Sequence, residues 1–339
     1  MPAPARIGLV KLSSLGDVIH ALPLARALRR ARPGSHLAWI VERREAAILR
    51  GHPDLDAVIE VDLRSRARAA RQPGGALALV TEIARVRREV RRLRLDAVID
   101  AQGLAKSGLI ARATRAPVRI AFARGEAREW PSAVLATTRV TPPASAVHVV
   151  DKYLALLRPL GVTPGPAEFH IPLRPPAAER MEAFLAEHGV KPGARLVVLN
   201  PGAGRPEKRW PAERFRALAE RLHTETVAAI VVLWGPGELE LGREIAGAPC
   251  RPLLAPPTDI DDLAALLRRA ALVVAGDTGP LHLAAAVETS CLGLFGPTRA
   301  ERNGPYGPRG RAVESPDGTM AGLAVDRVAA AARPLLDAS

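Results

Sequence analysis

The stretch Ile7-Gly8-Leu9-Val10-Lys11-Leu12-Ser13-Ser14-Leu15-Gly16-Asp17-Val18-Ile19-His20 reads as a short apolar strand, a turn of small residues and the opening of a helix over Val18–Ala31. An apolar run without polar alternation suits a parallel strand covered on both faces, and a helix directly behind it makes a βα unit. The unit repeats. Leu37–Val41, Ala57–Val61 and Ala97–Asp100 each precede a segment with helical spacing. Beyond Leu160 the chain turns to Gly161-Val162-Thr163-Pro164-Gly165-Pro166 and then Ile171-Pro172-Leu173-Arg174-Pro175-Pro176, a stiff passage that interrupts both periodicities. Alternation resumes with strands Leu196–Leu199, Ala229–Trp234, Leu272–Ala275 and Cys291–Phe295, and helices Ala212–His223, Glu238–Ala246, Asp261–Ala270 and Pro280–Val287. The expectation is an α/β protein of two Rossmann-like, doubly wound domains, 1–165 and 175–322. A last helix near Val325–Leu336, within residues 323–339, could pack on either half. Two such domains facing one another would line a central cleft with the carboxyl ends of their strands, where open α/β sheets bind ligands.

A chain of 339 residues has room for two domains of ordinary size. Hydrophobic residues at 48% and charged residues at 24% supply each half with a core and exclude a disordered chain. The net charge of +13 favours a polyanionic partner: nucleic acid, a phosphorylated substrate or an anionic membrane face. Lysine occurs only at Lys11, Lys106, Lys152, Lys191 and Lys208, all other basic residues being arginine, which together with abundant alanine marks a GC-rich coding bias. A lysine in that background is a choice that composition did not force. The two cysteines, Cys250 and Cys291, cannot build a disulfide framework and fit a reducing compartment. The N-terminus enters the first strand without the pattern of a secretory signal, and no apolar run approaches the ~20 residues that span a bilayer. A cytoplasmic protein with at most peripheral membrane contact is expected.

Asp17 sits at the carboxyl end of the first strand, beside the first turn of the helix. It can cap that helix, or it can act as a general base that takes a proton from an acceptor hydroxyl. Lys11, leaving a buried strand at the same end, is placed for an anion. The turn lacks the third glycine of GxGxxG and the chain has no GxxxxGK[ST], which disfavours a nicotinamide or P-loop enzyme. In Asn200-Pro201-Gly202-Ala203-Gly204-Arg205-Pro206-Glu207-Lys208-Arg209-Trp210-Pro211, the glycines let backbone N–H groups approach phosphate and Lys208 offers a point charge for a diphosphate. An ordinary βα loop with a solvent lysine fits equally well. Ala275-Gly276-Asp277-Thr278-Gly279-Pro280-Leu281-His282 is either a well-capped helix or a phosphate cradle, with helix N–H donors left for an anion, and His282 alone suits the core. Glu238, in Trp234-Gly235-Pro236-Gly237-Glu238, could accept from ribose hydroxyls or simply favour the helix dipole. The DxD pairs Asp54-Leu55-Asp56 and Asp259-Ile260-Asp261 read as caps, and no ligand spacing for a metal is apparent. Arg64, Arg66, Arg68 and Arg71 fall in a predicted loop that could meet an anionic acceptor. The run from Arg85 to Arg94 is spread around a predicted helix Leu77–Leu93 and reads as solvated.

With those residues in view, the chain resembles the lipopolysaccharide heptosyltransferases, glycosyltransferase family nine, over nearly its whole length. The likeness is carried by the segment Val10 to Pro23, by Asp100-Ala101-Gln102-Gly103-Leu104-Ala105-Lys106-Ser107 and by Asp277-Thr278-Gly279-Pro280-Leu281-His282. The first two are most similar to the heptosyltransferase I branch, which adds the first heptose to the Kdo of the inner core. The resemblance implies a GT-B fold, an ADP-activated L-glycero-D-manno-heptose donor, an anionic Kdo–lipid A acceptor, anomeric inversion, no metal or other cofactor, and a peripheral place at the cytoplasmic face of the inner membrane. It makes Asp17 the general base, Lys208 the donor-phosphate lysine, and Asp277, Thr278, Gly279 and His282 the donor segment. Glu238 joins the donor side, although the sequence around Gly237 departs from the family pattern. Lys11, Ser13 and Ser14 with Arg64, Arg66 and Arg68 would face the acceptor's Kdo carboxylates or lipid A phosphates. A related family-nine transferase with another donor or acceptor is the near alternative. A nucleic-acid-binding protein, suggested by the charge alone, has against it 3% aromatic residues and no recognisable module.

Overall fold

The computed structural model describes residues 6–72 and 75–337. The chain divides into two compact units, Met1–His170 and Ile171–Ser339, so the break falls inside the proline-rich passage. The first unit runs β1 (Arg6–Val10), α1 (Leu15–Ala31), β2 (His36–Glu42), β3 (Ala57–Val61), α2 (Leu63–Ala69), α3 (Gly75–Arg92), β4 (Ala97–Asp100), α4 (Ala105–Ala113), β5 (Val118–Phe122), α5 (Trp130–Leu135), β6 (Thr138–Val140) and α6 (Val149–Ala155). The second runs α7 (Pro175–Glu187), β7 (Leu196–Asn200), α8 (Ala212–Thr226), β8 (Ala229–Val232), α9 (Leu239–Ala246), β9 (Leu253–Leu254), α10 (Ile260–Arg269), β10 (Leu272–Gly276), α11 (Gly279–Ala286), β11 (Cys291–Phe295), α12 (Ala300–Asn303), β12 (Gly310–Glu314) and α13 (Val325–Asp337).

Each unit holds a six-stranded parallel sheet, ordered β3-β2-β1-β4-β5-β6 in the first and β9-β8-β7-β10-β11-β12 in the second. Both orders have the same plan, in which the winding reverses beside the first strand. That reversal opens a crevice at the carboxyl ends of β1 and β4, and again at those of β7 and β10. The strands there are buried along almost their whole length, as expected of sheets covered on both faces. Right-handed crossovers set α3, α4 and α5 side by side on one face of the first sheet, while α1 and α6 meet on the other.

The last helix closes on its own unit. Val328, Ala329, Ala332 and Leu336 of α13 join Trp210, Leu218 and Leu272 in one buried cluster. The Trp210 indole donates to the Leu323 carbonyl at 3.0 Å, satisfying a polar atom that burial would otherwise strand.

Candidate active site

In the first unit the loops leaving β1 and β4 carry the expected residues. Lys11 follows β1 directly, and its ammonium does not reach outward to an acceptor. The residue is 1% exposed and lies 2.6 Å from the Tyr153 hydroxyl, 3.3 Å from the Ala101 carbonyl and 3.4 Å from Asp17 Oδ1. It also stacks over the Tyr153 ring, 4.5 Å from its centroid. Asp17 Oδ1 accepts in addition from Arg128 Nη2 at 2.9 Å and from the Tyr153 hydroxyl at 3.4 Å. The Asp17 side chain remains one-fifth exposed. Helix α1 begins at Leu15, three residues earlier than the sequence suggested, and its N-cap is Ser14, so Asp17 is not the cap itself. Asp17 instead reaches back from the third helical position, where its Oδ2 accepts from the Ser14 N–H at 3.2 Å and the Ser14 hydroxyl at 3.1 Å.

Burial alone would raise the Asp17 carboxyl. The Lys11 ammonium and the Arg128 guanidinium, helped by the Ser14 N–H, outweigh burial and hold it well below the usual carboxylate range. Burial in turn lowers the Lys11 ammonium to about 8, against the attraction of Asp17. The arrangement keeps Asp17 ionised at any physiological pH. Because a carboxylate base works only when deprotonated, activity that depends on it is lost as pH falls through its pKa. Lys11→Met removes the buried cation 3.4 Å from Asp17 while keeping the volume, so the acid limb of the kcat/KM profile is expected to move upward in pH. An unmoved acid limb would deny Lys11 this part.

The Asp100 to Ser107 segment braces the Asp17 loop. Asp100, 1% exposed, accepts from the N–H groups of Gln102 and Gly103 and from the hydroxyls of Ser107 and Ser132, all within 3.1 Å. Gly103 takes φ +70, a conformation that a glycine adopts without strain. Gln102 Oε1 then accepts from the Leu12 N–H at 2.9 Å and the Ser13 N–H at 3.2 Å, tying the loop after β4 to the loop after β1. Ser13 and Ser14 thereby serve the loop's own geometry.

Arg64, Arg66 and Arg68 lie on a helix, α2, and not in the predicted loop; alternating arginine and alanine are good helix formers. Arg64 and Arg68 line a cavity of about 1340 Å³, whereas Arg66 turns to Asp62 at 3.3 Å. Ten cationic side chains and three carboxylates surround this cavity, over an apolar wall that includes Leu79, Ile83 and Ile110. Arg87 and Arg91 of the second arginine run also line it, and Arg85 is clamped between Glu82 and Glu89, so that run is not simply solvated.

In the second unit the switch point gathers the residues that the sequence suggests for the donor side. Lys208 closes a short 3-10 turn, Pro206–Lys208, and its Nζ lies 2.5 Å from Asp277 Oδ2. The other Asp277 oxygen lies 3.1 Å from His282 Nε2. Burial would raise the Asp277 carboxyl, but His282 and Lys208 bring it down to about 2. Thr278 is the N-cap of α11, yet its hydroxyl donates back to the Gly276 carbonyl at 3.1 Å and accepts from Asn200 Nδ2 at 3.2 Å. The Thr278 side chain therefore makes no cap bond to the first turn, whose backbone donors and positive dipole end can serve an anion. Glu238 stands at the N-cap of α9, just outside the helix, 15% exposed. It accepts from the Gly235 N–H at 3.1 Å and lies 3.4 Å from Arg209 Nη2. A Cβ on Gly202 would overlap the Glu238 carboxylate, so the glycine leaves room for that side chain where it now lies.

Among the described residues, no three His, Cys, Asp or Glu side chains form a metal-ligand group. Asp259 caps α10, accepting from the Asp262 N–H at 2.7 Å. Asp54 and Asp56 are not caps: Asp54 is buried between Arg26 and His170, and Asp56 pairs with Arg29.

A model of glycosyltransferase family 9 (heptosyltransferase) matches residues 83–327. The chain belongs to glycosyltransferase family 9. It is 33% identical over 89% of its length to lipopolysaccharide heptosyltransferase 1 of Pseudomonas aeruginosa, covering 81% of that protein. The counterpart in Escherichia coli K12 is 29% identical, with 92% and 94% of the two chains covered. Among solved structures, a family 9 glycosyltransferase from Veillonella parvula superposes with a TM-score of 0.85 at 25% identity, with 99% and 98% of the two chains covered. The Escherichia coli heptosyltransferase WaaC with ADP gives 0.81 at 27%, with 97% and 99% covered. The two-unit GT-B fold expected from the sequence is thus shown.

For a family 9 glycosyltransferase, two residues went unread in the sequence. Arg128 was one arginine among many, although its loop follows β5, next to β4, at the strand ends where ligands bind. Tyr153 is one of only two tyrosines, a signal in itself, but nothing local ties it to Asp17, 136 residues away.

Proposed function

We propose that the chain transfers L-glycero-D-manno-heptose from ADP-heptose to the Kdo of a lipopolysaccharide inner core, with inversion and without a metal. The observation that carries the reading is the charge arrangement at the two switch points. One offers an ionised, partly exposed carboxylate; the other offers a lysine beside an uncapped helix N-terminus.

In this mechanism Asp17 takes the proton of an acceptor hydroxyl as that oxygen bonds to the anomeric carbon. The bond from that carbon to the β-phosphate oxygen breaks on the opposite side, and ADP leaves with the electron pair. Lys208 and the N–H groups opening α11 stabilise the diphosphate charge that develops, the part a divalent metal ion would otherwise play. A carboxylate so strongly held by cations is a weak base. Arg128 is 43% exposed, and an acceptor carboxylate that draws it away from Asp17 would raise the pKa of the base when the acceptor arrives. The arginine-lined cavity of the first unit suits the acceptor's phosphates and carboxylates.

A lipid-linked acceptor puts the enzyme at the cytoplasmic face of the inner membrane. No helix among the described residues is long and apolar enough to cross a membrane. Turnover with ADP-heptose should exceed that with UDP- or GDP-activated sugars by about 10²-fold or more, measured with the same Kdo-bearing acceptor. Preference for another nucleotide sugar would reject the donor.

A further inference from the structure

Nine large hydrophobic side chains are exposed among the described residues, and six of them lie on three neighbouring helices. Leu77, Val80 and Ile83 on α3 are 71%, 60% and 50% exposed, Leu109 on α4 is 58%, and Trp130 and Val134 on α5 are 56% and 58%. These helices form one face of the first sheet. Exposed apolar side chains scattered singly need no explanation, but six on one helical layer mark an interaction surface.

The charge around them names the partner. Along α3 the spacing Leu77, Val80, Ile83 continues after one more turn with Arg87, so one ridge is apolar in its first half and cationic in its second. Arg88 and Arg92 are exposed on the same half, and Arg64 and Arg68 stand on α2, which packs against α3. On α5 the exposed Trp130 has the Arg124 guanidinium 5.5 Å from its ring centroid. Apolar tips set among arginines, with a tryptophan at the margin, are what a helical face needs to lie in the headgroup region of an anionic bilayer. A second copy of this chain would bring arginines against arginines.

We infer that the α3–α4–α5 face of the first unit docks on an anionic lipid bilayer. The inference rests on the proposed lipid-linked acceptor only for its purpose, because docking is measured without turnover. The experiment is co-sedimentation of the full chain with vesicles of phosphatidylethanolamine and phosphatidylglycerol, against vesicles of phosphatidylcholine. The chain should bind the anionic vesicles, less so at high salt. Leu77→Asp with Val80→Asp should weaken that binding about tenfold or more, and Trp130→Ser should weaken it independently. Neither variant touches the Asp17 loop or the cavity wall, so turnover with a deacylated, water-soluble acceptor should stay at the parental rate. Three results would overturn the inference. These are no binding by the parent or undiminished binding by both variants; a change of oligomeric state with vesicle binding intact; and an equal loss of turnover with the soluble acceptor.

Discussion

Asp17→Asn should lower kcat by roughly two to four orders of magnitude while leaving the affinity for ADP-heptose nearly unchanged. The amide keeps the shape of the carboxylate and can still accept from the Ser14 N–H, but it cannot take a proton from an acceptor hydroxyl. It also leaves the buried Lys11 ammonium without its counter-charge, so the variant should be less stable as well. Stability alone would not produce the split, because donor binding is assigned to the other unit. Calorimetric titration with ADP-heptose, beside single-turnover kinetics, separates the two effects. Parental turnover would remove Asp17 from the role of base.

The second large effect is expected at Lys208. Lys208→Ala should weaken ADP-heptose binding by roughly 10- to 100-fold, the scale of a lost charge-assisted contact to phosphate, and should slow turnover further because the leaving diphosphate loses its cation. Asp277 then keeps its contact with His282, and its pKa should rise from the low value that Lys208 helps to hold. Arg205, in the same loop but 62% exposed and paired with Glu207, is the control, and Arg205→Ala should leave affinity within about twofold. Unchanged donor affinity in Lys208→Ala would reject its assignment.

Much of the fold could be read along the chain because parallel strands advertise themselves. Ile7–Val10, Ala97–Asp100 and Leu272–Ala275 are short, apolar and followed by helical spacing, and the structure places each within a residue of its expected limits. Three strands away from the sheet centres, β5, β6 and β12, escaped. Val118–Phe122 carries an arginine, Thr138–Val140 is three residues long, and Gly310–Glu314 carries an arginine and a glutamate within five residues. The arginines of Leu63–Ala69 suggest a solvated loop by their charge, whereas their helix propensity decides the backbone of α2.

The candidate site was readable as a set of residues and not as a set of contacts. Asp17, Lys208 and Asp277 stood out by position after a strand and, for the lysine, by rarity in an arginine-rich chain. The sequence could not show that Lys11 turns inward to Asp17, since an outward and an inward rotamer have the same spelling. Nor could it bring Arg128 to Asp17 across 111 residues or Lys208 to Asp277 across 69, because those distances close only once β1 lies beside β4 and β7 beside β10.

The most direct measurement is a crystal structure of the protein with an unreactive ADP-heptose analogue and a soluble Kdo acceptor. It should show the diphosphate on Lys208 and the N–H groups of Gly279 and Leu281, and the acceptor hydroxyl within about 3 Å of the Asp17 carboxylate, opposite the leaving oxygen. A nucleotide bound away from the β7 and β10 loops would contradict the account, as would an Asp17 that contacts only Lys11, Tyr153 and Arg128 while the substrates react elsewhere.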